Sequence, residues 1–318
     1  MQRERFAVTP MTDELFRLLT LQDPNTRIVL IGTGLLGLCS GVIGSLAVLR
    51  RRALMGDALA HAALPGLWVA FFLTGDRSFL ALLAGAAVAG ALGVAAVAFI
   101  RDHTRVKEDA AIGIVLSGFF AAGLCLSRII GDLHLGNSAG LDGFLFGKAA
   151  AMLPEDVWTI AAVAAATVAI VTLLFKEFRL LCFDREFGAS QGWPVRRLDL
   201  ALMLLLVVCT VVGLPAVGVV LMAALLIIPA TAARFWTHRL HRMIVLAAFF
   251  GAVSGVVGSA ISALHAKIST GPAVVLTSAV IFALSMLFAP QRGVVVSLIR
   301  RRSVNPPAPV VRSGGAVA

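Results

Sequence analysis

Gly44-Ser-Leu-Ala-Val-Leu-Arg50-Arg-Arg-Ala-Leu-Met-Gly56-Asp57-Ala-Leu-Ala-His61-Ala-Ala-Leu-Pro65-Gly66 sets three consecutive arginines between two apolar runs. The first run begins near residue 28 and the second ends near residue 74. Each has the roughly 20 residues that an α-helix needs to cross a bilayer. A short basic loop between two such runs reads as a helical hairpin whose turn stays on the cytoplasmic side.

Further runs follow at about 79–100, 110–130, 155–175, 243–265 and 272–290. The stretch 199–235 would reach roughly 55 Å as one helix at 1.5 Å per residue, nearly twice the hydrocarbon thickness. It must break, and Gly213-Leu-Pro215-Ala-Val-Gly218 is the expected place, because proline lacks a backbone donor and glycine lets the chain turn. The expectation is an all-α polytopic membrane protein, a bundle of eight to nine transmembrane helices with nine on this count. Residues 28–290 form the membrane domain. Residues 1–27 make an N-terminal head in which 15–21 read as a short interfacial turn, and 291–318 a cytoplasmic, largely disordered tail.

Composition agrees. The chain of 318 residues is 59% hydrophobic and 14% charged, with mean hydropathy +0.95. Soluble domains carry about 25% charged residues, so a soluble fold is excluded. The net charge of +10 does not point to nucleic acid, because most of the 27 basic residues fall in short loops on one side: 50–52, 101–109, 176–198, 234–242 and the tail. This bias orients the C-terminus to the cytoplasm. The four cysteines show no CxxC pairing and read as small core hydrophobes. The polar stretch after the initial QRER does not read as a secretory signal, and the first span is expected to direct insertion. Small residues at helix-packing spacing, Gly37/Gly41, Gly85/Ala89 and Gly251/Gly255, suggest close helix contacts.

Ionisable residues inside spans are the first candidates for chemistry, since charge is costly in hydrocarbon. Asp57 and His61 are four apart and share one helical face. A carboxylate and an imidazole there suit a divalent transition metal such as manganese, iron or zinc. The same spacing also suits a simple Asp–His hydrogen bond closing a polar pocket. His103, His238 and His241 lie in basic loops and are expected to be solvated, whereas His134 and His265 fall on the outer side. The loop 176–198 interleaves aromatics with charges, and reads equally as a membrane-surface helix or as a docking segment for a cytosolic partner. The segment Gly143–Ala149 is one residue short of a phosphate-binding loop, and no HExxH or GxSxG occurs. No ATPase or hydrolase activity of its own is expected; the chain reads as a transport subunit and not an enzyme.

These residues resemble the permease subunits of bacterial ABC importers for manganese, zinc and iron, from about Gly34 to Gly293. The segment Gly44–Gly66 carries the most specific likeness. Lys107-Glu-Asp109-Ala-Ala-Ile-Gly113, Leu145-Phe146-Gly147, Phe183-Asp184 with Gly192, Ala224–Ala232, Ser269-Thr270-Gly271-Pro272 and Phe288-Ala289-Pro290 with Gly293 follow in order. The resemblance implies a fold of the metal/vitamin B12 permease type in the bacterial inner membrane. It implies a dimer with itself or a paralogous permease, cytosolic ABC ATPase subunits that bind the ATP, and an extracytoplasmic metal-binding protein. It places Asp57 and His61 on the path of the transported manganese, zinc or iron, and makes Phe183, Asp184, Phe187 and Gly192 the ATPase-coupling residues. Gly188 departs from the alanine the family tends to carry after that Phe. Manganese is the favoured cargo. The competing readings are a permease for chelated iron or a vitamin B12-like substrate and, from another class, an intramembrane metalloenzyme.

Overall fold

The computed structural model describes residues 24–75, 79–132, 152–264, 268–291 and 293–295. Most of the N-terminal head, His134, the Leu145-Phe146-Gly147 block with its phosphate-loop near-match, His265 and the tail from 296 lie outside the described residues. Within them the chain is helical, with no strand. The helices are α1 (Pro24–Leu49), α2 (Met55–Thr74), α3 (Phe79–His103), α4 (Glu108–Asp132), α5 (Pro154–Leu173), α6 (Phe175–Phe183), α7 (Arg185–Ser190), α8 (Val195–Val217), α9 (Val219–Trp236), α10 (Leu240–Leu264) and α11 (Thr270–Phe288). Eight of these are long and apolar enough to cross a membrane, and α9 contributes the shorter apolar helix Leu221–Trp236.

The expected break in 199–235 is present and falls at Gly218, the last residue of the expected segment. Helix α8 runs through Pro215 to Val217, and α9 starts at Val219, so Gly218 alone joins them, at φ 84° and ψ 167°. Pro215 sits in the last turn of α8, where the single bond it deletes does not end a helix held by neighbours. The positive φ, open to glycine at no steric cost, makes the turn.

The tightest packing joins α1 to α10. A Cβ on Gly37 would lie 2.0 Å from the Gly251 carbonyl oxygen, and one on Gly41 would lie 2.2 Å from that of Ala247. One turn on, Gly255 meets the Thr33 carbonyl, and the Thr33 hydroxyl lies 2.8 Å from Ser259 Oγ. In lipid, where helices gain nothing by hiding apolar surface from each other, this contact and these interhelical bonds supply the association. The sequence-read pair Gly85/Ala89 of α3 likewise packs on Gly66 of α2.

Around this seam Ile43, Leu46, Leu59, Leu202, Leu206 and Met222 form one core with the buried Cys39 and Cys209. Both thiols are free and act as small apolar fillers, whereas Cys125 is exposed and Cys182 part-buried. Outward-facing Leu73, Leu80, Trp158, Leu173 and Leu276 are exposed and form a lipid-facing surface.

Candidate metal path and coupling face

Asp57 lies in the first turn of α2 and His61 one turn further along. His61 Nε2 is 3.5 Å from Asp57 Oδ1, with the side chains 16% and 36% exposed. That separation is too long for a good hydrogen bond. Two donors about 2.1 Å from one ion stand roughly 3.0–3.4 Å apart at octahedral to tetrahedral angles, so the pair is already close to a two-point grip on a metal. The His61 ring meets Phe120 of α4 edge-on, centroids 4.7 Å apart, and its Nδ1 is buried without a hydrogen-bond partner.

Pro65 adds a third polar group that the sequence reading overlooked. It falls inside α2, four residues after His61, and has no N–H to give the His61 carbonyl. The pattern Asp-x3-His-x3-Pro thus leaves a main-chain oxygen without its helical donor at the residue that carries the imidazole. Gly123 of α4 backs onto Leu64 and Pro65, so the two helices close around this turn. No group of three or more His, Cys, Asp or Glu side chains that could hold a metal exists among the described residues. The described residues thus offer two side-chain donors at this turn.

The segment after α5 folds as two short helices. Asp184 caps α7, its carboxylate accepting from the Phe187 N–H at 2.9 Å. Phe183, Phe187 and Trp193 are all exposed, three aromatic rings on a polar surface. Gly192 ends α7 at φ 81°, a left-handed turn that favours glycine. Gly188 is buried, and a Cβ there would come within 3.1 Å of Leu180 Cδ2. Burial pushes the Cys182 thiol up to about 11. Between α6 and the α9–α10 turn opens a cavity of about 640 Å³ lined by Lys176, Arg179, Phe183, Asp184, His238 and His241 among others. The two histidines are exposed there, and His103 is also exposed, stacked on Phe99.

A buried charge cluster escaped the sequence reading. Asp199 of α8 accepts from Arg50 Nη2 and Arg52 Nη1, both at 2.8 Å, and Arg101 Nη1 approaches its other oxygen at 3.4 Å. Arg50 also donates to the Leu181 carbonyl of α6 at 3.1 Å, and Arg52 pairs with Glu108. Of the three consecutive arginines only Arg51 projects into solvent. The visible signal was a lone acid near the start of an otherwise apolar span.

Residues 22–289 match the ABC 3 transport family. The chain belongs to that family. It is 47% identical over 282 residues to the manganese transport system membrane protein MntC of Bacillus subtilis, covering 89% of this chain and 65% of that one. To the zinc transport system membrane protein TroC of Treponema pallidum it is 45% identical over 291 residues, covering 92% and 96%. The solved structure of PsaBC from Streptococcus pneumoniae in complex with Fab superimposes with TM-score 0.79 at 30% identity, covering 92% of this chain and 99% of that one. This member of the ABC 3 transport family is thus an integral membrane transport protein. The helices that carry Asp57, His61 and the α6–α7 segment lie inside the matched region.

Proposed function

We propose that the chain is the permease of an ATP-driven importer of divalent transition metal ions, manganese foremost, with Asp57 and His61 as ligands on the path. The observation that carries this reading is the loose Asp57–His61 pair, 3.5 Å apart on a partly exposed face one turn before Pro65. A partly exposed carboxylate facing lipid would be costly. A second permease chain, itself or a paralogue, covers that face and brings a second donor set, so that the ion passes between two copies. Weak, incomplete ligation suits a path, because an ion held by a full cage would not leave.

The rings of Phe183, Phe187 and Trp193, with Asp184 and Gly192 fixing the turn geometry, form the surface that a cytosolic ATPase grips. ATP is bound and hydrolysed on that partner. An extracytoplasmic metal-binding protein delivers the ion at the opposite end. The basic loops and the C-terminus face the cytoplasm of a bacterial cell, and the bundle lies in its inner membrane. ATP binding favours one arrangement of the helices and hydrolysis the other, so access alternates.

Reconstitution of the assembled complex with radiolabelled manganese, zinc and iron tests this. ATP-dependent uptake of manganese is the expected result. A complex that hydrolyses ATP and moves none of the three metals would reject the reading.

A further inference from the structure

The buried charge cluster lies beside a cavity of about 260 Å³ whose lining combines two kinds of residue. Arg52, Arg101, His103, Arg196, Glu108 and Asp199 form its polar end. Val94, Ala95, Val97 and Ala98 of α3, with Leu200 and Met203 of α8, continue it along the helices. The volume is below the roughly 300–1,000 Å³ of pockets that enclose a drug-sized ligand, so it fits a headgroup and not a whole lipid.

Two facts at the polar end call for an anion. Arg52 is 3% exposed, yet its Nη2 has no hydrogen-bond partner. The ion-paired cluster holds Arg50, Arg52, Arg101 and Arg196 against Asp102, Glu108 and Asp199, which leaves one positive charge uncompensated. The exposed Arg105 and Lys107 nearby raise the local potential further, and the exposed Asp109 offsets part of it. A phosphodiester carries the single negative charge that would balance this set, and oxygens that accept from arginine. The cluster is built from the ends of α3, α4 and α8, which is the level of the phosphates in a bilayer. From there exposed Phe99 and Leu92 of α3 and Leu200, Leu204 and Val208 of α8 run into the hydrocarbon zone.

We propose that this is a binding site for one anionic phospholipid, its phosphate held by Arg52, Arg101 and Arg196 and an acyl chain laid along the α3–α8 groove. Basic pockets between spans are suited to anionic headgroups. The site is separate from the proposed metal path and does not depend on it.

Purified full-length chain is titrated with phosphatidylglycerol, with phosphatidylcholine of the same acyl chains and with inorganic phosphate, and retained ligand is counted by native mass spectrometry. One phosphatidylglycerol retained per chain, with phosphatidylcholine lost, is the expected pattern. Arg196→Gln, at a side chain 82% exposed and safe for folding, weakens retention about fivefold, the worth of one basic residue near the membrane surface. Ala95→Trp blocks the groove with every charge in place and abolishes retention. Equal retention of both lipids, or unchanged phosphatidylglycerol binding in both variants, overturns the proposal. Filling by inorganic phosphate as readily as by lipid also overturns it, leaving a free-anion site.

Discussion

Two places in the bundle hold charge near the end of a span, and they hold it in opposite ways. Asp199 is buried and saturated, taking hydrogen bonds at 2.8 Å from two arginines. Asp57 is partly exposed, and its one ion-pair neighbour among the described residues stands 3.5 Å away. Saturation fixes geometry: Asp199 ties the α1–α2 turn, the end of α3 and the start of α8 together, and Arg50 extends the tie to α6. Incompleteness does the reverse, leaving donors ready for a ligand that comes and goes. If Asp57 and His61 line the path as proposed, the same chemical ingredients serve structure in one place and passage in the other, and the difference lies in how many partners each group already has.

The sharpest way to break this comparison is at the unsaturated pair. Asp57→Ala and His61→Ala should each lower ATP-dependent manganese uptake by about a hundredfold, the upper end of what loss of a group supporting a metal site costs. Membrane levels and thermal midpoint should stay near the parent's, because neither side chain ties two elements by a hydrogen bond or ion pair and His61 reaches α4 only through the Phe120 ring. Uptake that survives both changes at normal expression would remove these residues from the path. At the saturated site the expectation inverts. Asp199→Ala leaves Arg50 and Arg52 without their shared acceptor, and breaking such a pair costs about 3–5 kcal/mol. It should show as loss of folded protein in a detergent melting assay, with Asp199→Glu recovering part of it. A melting curve equal to the parent's would show that the cluster holds nothing.

The glycine seam and the Asp57–His61 face were legible in the sequence because both are written in local spacing, four residues at a time. The structure keeps that spacing and adds the partner helix. The Asp199 cluster was not legible: Asp199 and Arg50 are 149 positions apart, and nothing local marks the arginines as buried. Arg52 counted as one more loop cation, although the fold places it at 3% exposure. The turn between α8 and α9 was legible as a segment, Gly213–Gly218, but not as a single residue: a helix supported on its sides tolerates the bond missing at Pro215, and the positive φ of Gly218 makes the turn.

On α6, Cys182 shows burial acting on a titrating group. Its raised value means the folded chain keeps a proton that the unfolded chain releases near pH 9.0. Stability from this thiol is therefore full below about pH 9 and falls as pH rises toward about 11. Alkylation by maleimide at pH 7.5 should be slow, and should accelerate with pH through that window. Rapid labelling at neutral pH would mean that α6 opens away from the α1 end it packs on.

The smallest effect belongs to Gly188, which contrasts side-chain space with helix propensity on one residue. Alanine favours helix by up to about 1 kcal/mol over glycine, which would stabilise α7. Its Cβ, however, would press on Leu180 at 3.1 and 3.3 Å and on Val195 at 3.4 Å, contacts that only a shift of a few tenths of an ångström relieves. Leu180 belongs to α6 and Val195 opens α8, so the relief is a small move of α7 against both. Gly188→Ala should therefore leave the melting temperature nearly unchanged while altering ATPase affinity by a few-fold, since the exposed rings of Phe183 and Phe187 sit on the two helices that move. A clear gain in melting temperature with unchanged affinity would show that the α6–α7 angle is not what the partner reads.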